Sequence, residues 1–170
     1  MIDSDILTKY REGVCALLKA SKEEQIGTAV PEYQLIILEE LLSSARVSIS
    51  GVCNVKKMFL WTEKVCNTIK DKFNAGVGTK IVVANAGEES ILLSLGNFAT
   101  KMSKQIREQD NFMTVIVVDG KKCLVVGPES GDDMVLFVGG EAGRTKLCIS
   151  FVDDAWSMSD TSAKAEARQA

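Results

Sequence analysis

Residues 112–127, FMTVIVVDGKKCLVVG, decide the fold of this chain. Two apolar runs rich in β-branched residues flank the dipeptide Asp119-Gly120. This dipeptide favours the positive φ angles of a type I′ turn, which joins adjacent antiparallel strands. The stretch therefore predicts a β-hairpin, and both runs are apolar enough to be buried on both faces of a sheet.

Outward from the hairpin, hydrophobic periodicity predicts alternating strands and helices. RVSISGV at 46–52 and TKIVVAN at 79–85 favour strands, and the amphipathic stretch 57–73 between them favours a helix, so the three predict a βαβ unit. The remaining predicted elements are helices at 4–21 (capped by Ser4), from Pro31 to about 45, 88–95 and 142–157, an edge strand around 104–109, and a strand at 133–138. This order predicts an α/β domain with a mixed β-sheet flanked by helices.

The composition is that of an ordinary globular protein, with 170 residues, of which 46% are hydrophobic and 25% charged. The net charge is −3 and no basic block occurs, so a nucleic-acid partner is not expected. No apolar run has the length of a membrane span, and the acidic N-terminus is unlike a signal peptide. A cytoplasmic location is therefore expected.

The chain contains five cysteines and no histidine. The cysteines are scattered and set in apolar surroundings, which predicts reduced, buried side chains at Cys15, Cys53, Cys66, Cys123 and Cys148. Histidine is the usual general base near neutral pH and the commonest metal ligand. Its absence excludes a Ser-His-Asp triad, a Cys-His pair or a histidine-bound metal within this chain, and no cofactor is expected.

Three stretches together resemble one half of the phospholipase D superfamily. LEELLSSARVSIS at 38–50 is similar to the helix and strand that open such domains, and VIVVDGKKCLVVG at 115–127 is similar to the segment with the family's HxK(x)4D signature. FVDDAW at 151–156 resembles the last helix of the effector-binding domain in TrmB-type regulators. The resemblance implies a phospholipase D-like domain over residues 31–157, preceded by an extra N-terminal helix and connection at 1–30 and followed by a flexible tail at 158–170.

The signature residues of that family are not all present. In the family the histidine attacks phosphorus and the lysine stabilises the phosphate oxygens. Counting back from Asp119, these two positions hold Phe112 and Thr114. Because phenylalanine cannot attack and threonine carries no charge, the resemblance implies a degenerate half without the family's catalysis. The aspartate matches, but Asp before Gly also suits a turn.

The resemblance also implies a cleft where the family's active site lies, since ligands of open α/β sheets collect at the carboxyl ends of the parallel strands. The candidate ligand-binding residues at this edge are Asn54, Asn85, Phe112, Thr114 and Glu129. Each also has an ordinary structural interpretation: the asparagines as caps, the phenylalanine and threonine as strand formers, and the glutamate as a solvated turn residue.

These features favour a non-catalytic module that acts by binding a small polar ligand or a protein partner, in a regulatory role. Single-half members of the superfamily commonly pair, which implies a homodimer. Two alternatives remain: an enzyme that uses carboxylates or a metal instead of the missing residues, and a protein-interaction scaffold of another α/β fold. TrmB-type regulators carry a winged helix before this domain, and the residues preceding Pro31 lack basic recognition residues, so direct transcription control is not expected.

Overall fold

The computed structural model describes residues 2–20, 22–54, 60–84, 103–106, 113–127, 129, 131–139, 143–158 and 160–161. Its helices are α1 (Ser4–Leu18), α2 (Pro31–Ser43), α3 (Glu63–Asn74) and α4 (Gly143–Met158). Its strands are β1 (Glu24–Thr28), β2 (Ser48–Asn54), β3 (Gly78–Ala84), β4 (Ser103–Ile106), β5 (Thr114–Val118), β6 (Lys122–Val126), β7 (Met134–Val138) and β8 (Asp160–Thr161).

The eight described strands form one mixed sheet in the order β1-β7-β6-β5-β2-β3-β4-β8. β2 pairs in parallel with β3, and β3 with β4, while the other neighbours are antiparallel. α3 connects the parallel strands β2 and β3, as the predicted βαβ unit requires. The predicted fold class, an α/β domain with a mixed sheet flanked by helices, is confirmed.

Each face of the sheet carries its own apolar cluster. Helices α1, α2 and α3 pack on one face, where Leu38 and Leu42 of α2 and Ile49 of β2 are buried. Helix α4 packs on the opposite face, where its Val152 contacts the cluster that includes Val117 of β5. Because successive residues of a strand point to opposite faces, each central strand contributes to both clusters.

The predicted hairpin is confirmed. Asp119 and Gly120 have φ angles of 56° and 66°, and the N–H of Lys121 donates to the Val118 carbonyl oxygen over 3.1 Å. Two central residues with positive φ are what a type I′ turn requires. The strand register pairs Val118 with Lys122, so Lys121 is an extra residue in the connection.

The N-terminal segment differs from its prediction in two places. Strand β1 (Glu24–Thr28) is not among the predicted elements; the segment joins the sheet by pairing with β7. The cap of α1 is Asp3, whose carboxylate accepts from the N–H of Asp5 over 2.8 Å, and not Ser4, which lies inside the first turn. The division of the chain at residue 31 stays a prediction.

Three further corrections concern the other elements. α3 begins at Glu63, later than predicted, because the Thr62 side chain caps it by accepting from the N–H of Val65; residues 57–59 of the predicted helix lie outside the described residues. Hydrophobicity would place Leu147 on the inward face of the last helix, but its side chain is 72% exposed. Part of the tail predicted to be flexible, Asp160–Thr161, pairs with β4 as β8, so β4 is not the edge strand. The helix predicted at 88–95 lies outside the described residues.

The prediction that all cysteines are reduced and buried is wrong for three of them. Cys123 of β6 and Cys148 of α4 form a disulfide, and Cys15 of α1 is partly exposed. The disulfide was not predictable because the two cysteines lie 25 residues apart in sequence and meet only when α4 packs on the sheet. Cys53 and Cys66 are free and buried, as predicted.

Candidate functional site

The structure brings together two of the predicted site residues, Asn54 at the end of β2 and Thr114 at the start of β5. Both are buried, with exposed fractions of 0% and 1%. The Thr114 hydroxyl oxygen accepts a hydrogen bond of 3.1 Å from the backbone N–H of Asn54. This contact continues the β2–β5 pairing beyond its last ladder pair, Val52 with Val115. Thr114 therefore serves the backbone of the neighbouring strand.

Of the other three predicted site residues, only Glu129 is among the described residues. Glu129 is exposed in the turn between β6 and β7, where its N–H donates to the Asp132 carboxylate over 2.8 Å. Because Thr114 pairs with Val126 at the end of β6, this turn lies at the same edge of the sheet as Thr114. Phe112 and Asn85 lie outside the described residues. The role of all five candidates as ligand contacts stays a prediction.

A buried glutamine of α2 fixes the turn that carries Glu129. The Gln34 side-chain amide donates to the carbonyl oxygen of Asp132 over 2.9 Å and to that of Thr28 over 3.0 Å. Gln34 is only 2% exposed, so these bonds satisfy both amide hydrogens away from water. The end of β1 and the β6–β7 turn are thereby held to the same helix.

The opposite edge of the sheet is organised by Asp119. Its carboxylate accepts from the backbone N–H groups of Arg46, Val47 and Ser48, over distances between 2.7 and 3.2 Å. Burial alone would raise the pKa of Asp119, but these hydrogen bonds outweigh it and hold the pKa below its ordinary value. The aspartate that matches the family signature thus ties the hairpin to the start of β2.

A cleft of about 200 Å³ opens beside this aspartate, between the sheet and α4. Its floor is formed by Ser48 and Ser50 of β2 and Val117 of β5. Its roof is formed by residues of α4, and Gly120 closes one end. The cleft thus lies on the face of the sheet that α4 covers, at the edge opposite to Asn54 and Thr114. The roof residues are Ile149, Val152 and Asp153.

An ion pair flanks the cleft. The Lys80 ammonium lies 2.9 Å from a carboxylate oxygen of Asp153 and 5.5 Å from the centre of the Trp156 ring. In the sheet register Lys80 pairs with Ser50, which in turn pairs with Val117, so the three side chains share one row on the same face. The charges of Lys80 and Asp153 compensate each other. The polar groups on the floor of the cleft are the uncharged hydroxyls of Ser48 and Ser50.

The two serines were not identified from the sequence as site residues. In RVSISGV they are the small polar residues that alternate with apolar ones, a pattern that usually places such residues in solvent. α4 covers that face of the sheet, so both side chains are partly buried beneath a helix. The usable signal is that the segments IVVA at 81–84 and VIVV at 115–118, in the two strands that neighbour β2, are apolar at every position. This pattern predicts that both faces of β2 between them are largely covered.

A cluster of charged side chains joins α1, α2 and α3 on the face of the sheet opposite α4. Arg11 pairs with Glu39 and Glu40, Lys64 pairs with Glu39 over 2.6 Å, and the Cys15 thiol donates to Glu40 over 3.0 Å. Burial alone would raise the pKa of Glu40, but the hydrogen bonds from Cys15 and Arg11 lower it. The hydrogen bond to Glu40, with burial, raises the pKa of the Cys15 thiol. The cluster holds three helices together.

The described part of the chain contains no group of three or more cysteine, aspartate or glutamate side chains arranged to hold a metal ion. None of its helices combines the length and apolar content needed to cross a lipid bilayer.

No family model matches the sequence, and neither does any curated protein. Solved structures do match. TrmBL2, described as an archaeal chromatin protein with a novel mode of DNA binding, superposes with a TM-score of 0.65 at 12% identity. The match covers 92% of this chain and 61% of that one. Phosphatidylserine synthase of Haemophilus influenzae Rd KW20 superposes with a TM-score of 0.55 at 11% identity.

The match to the synthase covers 81% of this chain and 39% of that one. The chain thus spans about three fifths of the chromatin protein and two fifths of the synthase. At such identities the similarity shows a shared fold alone. The resemblance to phospholipase D-like and TrmB-type proteins is therefore confirmed at the level of the fold.

Proposed function

We propose that this chain is a non-catalytic phospholipase D-like module that acts by binding a small polar ligand or a protein partner, in a regulatory role. The observation that carries the proposal is the state of Thr114. The resemblance places this residue at the lysine position of the family signature, yet it is uncharged, buried and hydrogen-bonded to the backbone of Asn54.

Phosphoryl transfer depends on cationic groups that stabilise the developing charge on the phosphate oxygens. Thr114 supplies no such charge, and its hydroxyl already serves as the acceptor for Asn54. The chain contains no histidine to form a phosphoenzyme. These residues support loss of the family's chemistry while the fold is kept.

The proposal includes pairing of two copies and a cytoplasmic location. Pairing follows from the resemblance to single-half phospholipase D-like proteins. DNA binding, which is stated for TrmBL2, is not proposed for this chain, since a net charge of −3 and a pI near 5.1 provide no general attraction to phosphates. The expected ligand or partner is therefore not a nucleic acid.

The first experiment measures hydrolysis of bis(p-nitrophenyl) phosphate and phosphatidylcholine by the purified chain, with and without a chelator. We expect no turnover above the buffer rate in either condition. Turnover that copurifies with the chain and is lost on chelation would instead support an enzyme that uses carboxylates and a metal.

The second experiment addresses binding and pairing. Thermal-shift screening with sugars and nucleotides tests for a small ligand, because a ligand that binds only the folded state must raise the melting temperature. Sedimentation at several concentrations tests for the homodimer. A strict monomer at all concentrations would remove pairing from the proposal.

A further inference from the structure

We propose that the cleft beneath α4 is a binding site for a small neutral molecule with a hydrogen-bonding head, such as an amide or alcohol, and a branched aliphatic body. The inference rests on the proposed function in one respect, namely that the chain acts by binding. It assigns the site to the face of the sheet opposite α1, α2 and α3, and to the edge opposite Asn54 and Thr114.

The first argument is the chemistry of the floor. Ser48 and Ser50 lie on the same face of β2 as Val52, which belongs to the apolar cluster under α4. Both serine side chains are partly buried and line the cleft. A partly buried hydroxyl loses water contacts unless another group replaces them, so two such hydroxyls in one cleft are complementary to a polar ligand head.

The second argument is the apolar remainder of the cleft. Val117 and Val152 are 3% and 1% exposed, and Ile149 completes an aliphatic surface on the roof. This surface faces the same space as the serines. A few placed polar groups within a mainly apolar lining are typical of small-molecule sites. The volume of about 200 Å³ limits the ligand to a small molecule.

The third argument decides the charge of the ligand. The only described charged side chain that lines the cleft is Asp153, and it is paired with Lys80 over 2.9 Å. The neighbouring Asp119 carboxylate is occupied by three backbone N–H groups. A ligand with a net charge would lose hydration without an unpaired counter-charge to replace it, whereas a neutral head exchanges water for serine hydroxyls at little cost.

The test uses three probes of nearly the same shape that differ in charge: isovaleramide, isovalerate and isoamylamine. Each is titrated into the ¹⁵N-labelled full chain, and the amide chemical shifts are followed. We expect saturable shifts with isovaleramide, concentrated in β2, β5 and α4, and weaker or no saturable shifts with the two charged probes.

Matched serine variants test the contacts. Replacing Ser48 or Ser50 by alanine should weaken isovaleramide binding roughly three- to tenfold each, the loss typical of one hydrogen bond between neutral groups. Ser150→Ala, which removes an exposed hydroxyl of the same helix that roofs the cleft, should leave binding unchanged. Unchanged thermal melting of the alanine variants shows that any loss does not arise from unfolding.

Three results would overturn the inference: no saturable binding of isovaleramide, equal binding of all three probes, or shifts concentrated near Asn54 and Thr114. The last result would leave the proposed binding function intact while moving its site. Hydrolysis of the phosphodiester substrates would contradict the proposed function without bearing on the cleft, so the two failures are distinguishable.

Discussion

The Asp119 carboxylate lies 2.7 Å from the backbone nitrogen of Val47, although the two residues belong to different segments of the chain. This hydrogen bond and those from Arg46 and Ser48 fix the hairpin turn to the segment at the start of β2. Asp119 therefore has a structural role that is independent of any phosphate chemistry.

Replacement of Asp119 by asparagine should lower the free energy of unfolding by about 1–3 kcal/mol, because the amide keeps one acceptor oxygen but loses the charge that strengthens these bonds. Asparagine tolerates the positive φ of this position, so the backbone conformation is retained. Urea unfolding monitored by circular dichroism provides the measurement. Asp71→Asn is a suitable control on the exposed side of α3.

The same aspartate predicts a dependence of stability on pH. Its folded-state pKa is depressed, so its contribution is complete above the unfolded pKa of about 3.9 and is lost as pH falls through the lower folded-state pKa. The wild-type chain should therefore lose more stability than Asp119→Asn over that acidic interval. Parallel losses in the two proteins would show that other carboxylates account for the acid dependence.

Thr114→Val should destabilise the fold by about 1–3 kcal/mol, since it removes the acceptor for the buried N–H of Asn54 while nearly conserving volume. Thr114→Ser keeps the hydroxyl and should lose less. Chemical denaturation of both variants gives the comparison. If valine were as stable as threonine, the Thr114 hydroxyl would not be a structural acceptor, and the observation that carries the proposed function would be weakened.

Removal of the disulfide by the double substitution of Cys123 and Cys148 to alanine should cost about 3 kcal/mol of stability, because the link constrains a 25-residue separation in the unfolded chain. The wild type should lose a similar amount in dithiothreitol, and the variant should be insensitive to it. Thiol titration of the unreduced, unfolded protein should give three free thiols; five would contradict the disulfide.

Glu40→Gln should increase the alkylation rate of Cys15 by iodoacetamide severalfold near pH 8. The carboxylate of Glu40 accepts from the thiol and raises its pKa, so a neutral amide lets more thiolate form. Peptide mass spectrometry measures the rate. Buried Cys53 serves as an unreactive internal reference, and Glu12→Gln, exposed on α1, should leave the rate unchanged.

Much of the fold was predictable because its central elements carry their own local patterns. The Asp119-Gly120 turn and its flanking apolar runs predict the hairpin, and the segments around α3 predict the parallel pair β2 and β3. Strand β1 was not predictable in this way. Its sequence EQIGT is mostly polar and contains a glycine, and only its distant partner β7 makes it a strand.

The candidate site was predictable only in part. The sequence places Asn54 and Thr114 at the same edge, but it does not show that the hydroxyl of one is bonded to the backbone of the other. It predicts the alternation of Ser48 and Ser50 along β2, but not that α4 covers their face. Both facts depend on how distant elements pack, which local periodicity does not encode.

The pairing of β1 with β7 has a consequence for synthesis of the chain on the ribosome. Glu24 is paired with Val138, so β1 emerges long before the strand that completes its ladder. The hairpin between β5 and β6, in contrast, can close as soon as both strands have left the exit tunnel, because its contacts are local. We therefore expect chains that are truncated before residue 134 to leave β1 without its partner strand, and to be recognised by chaperones.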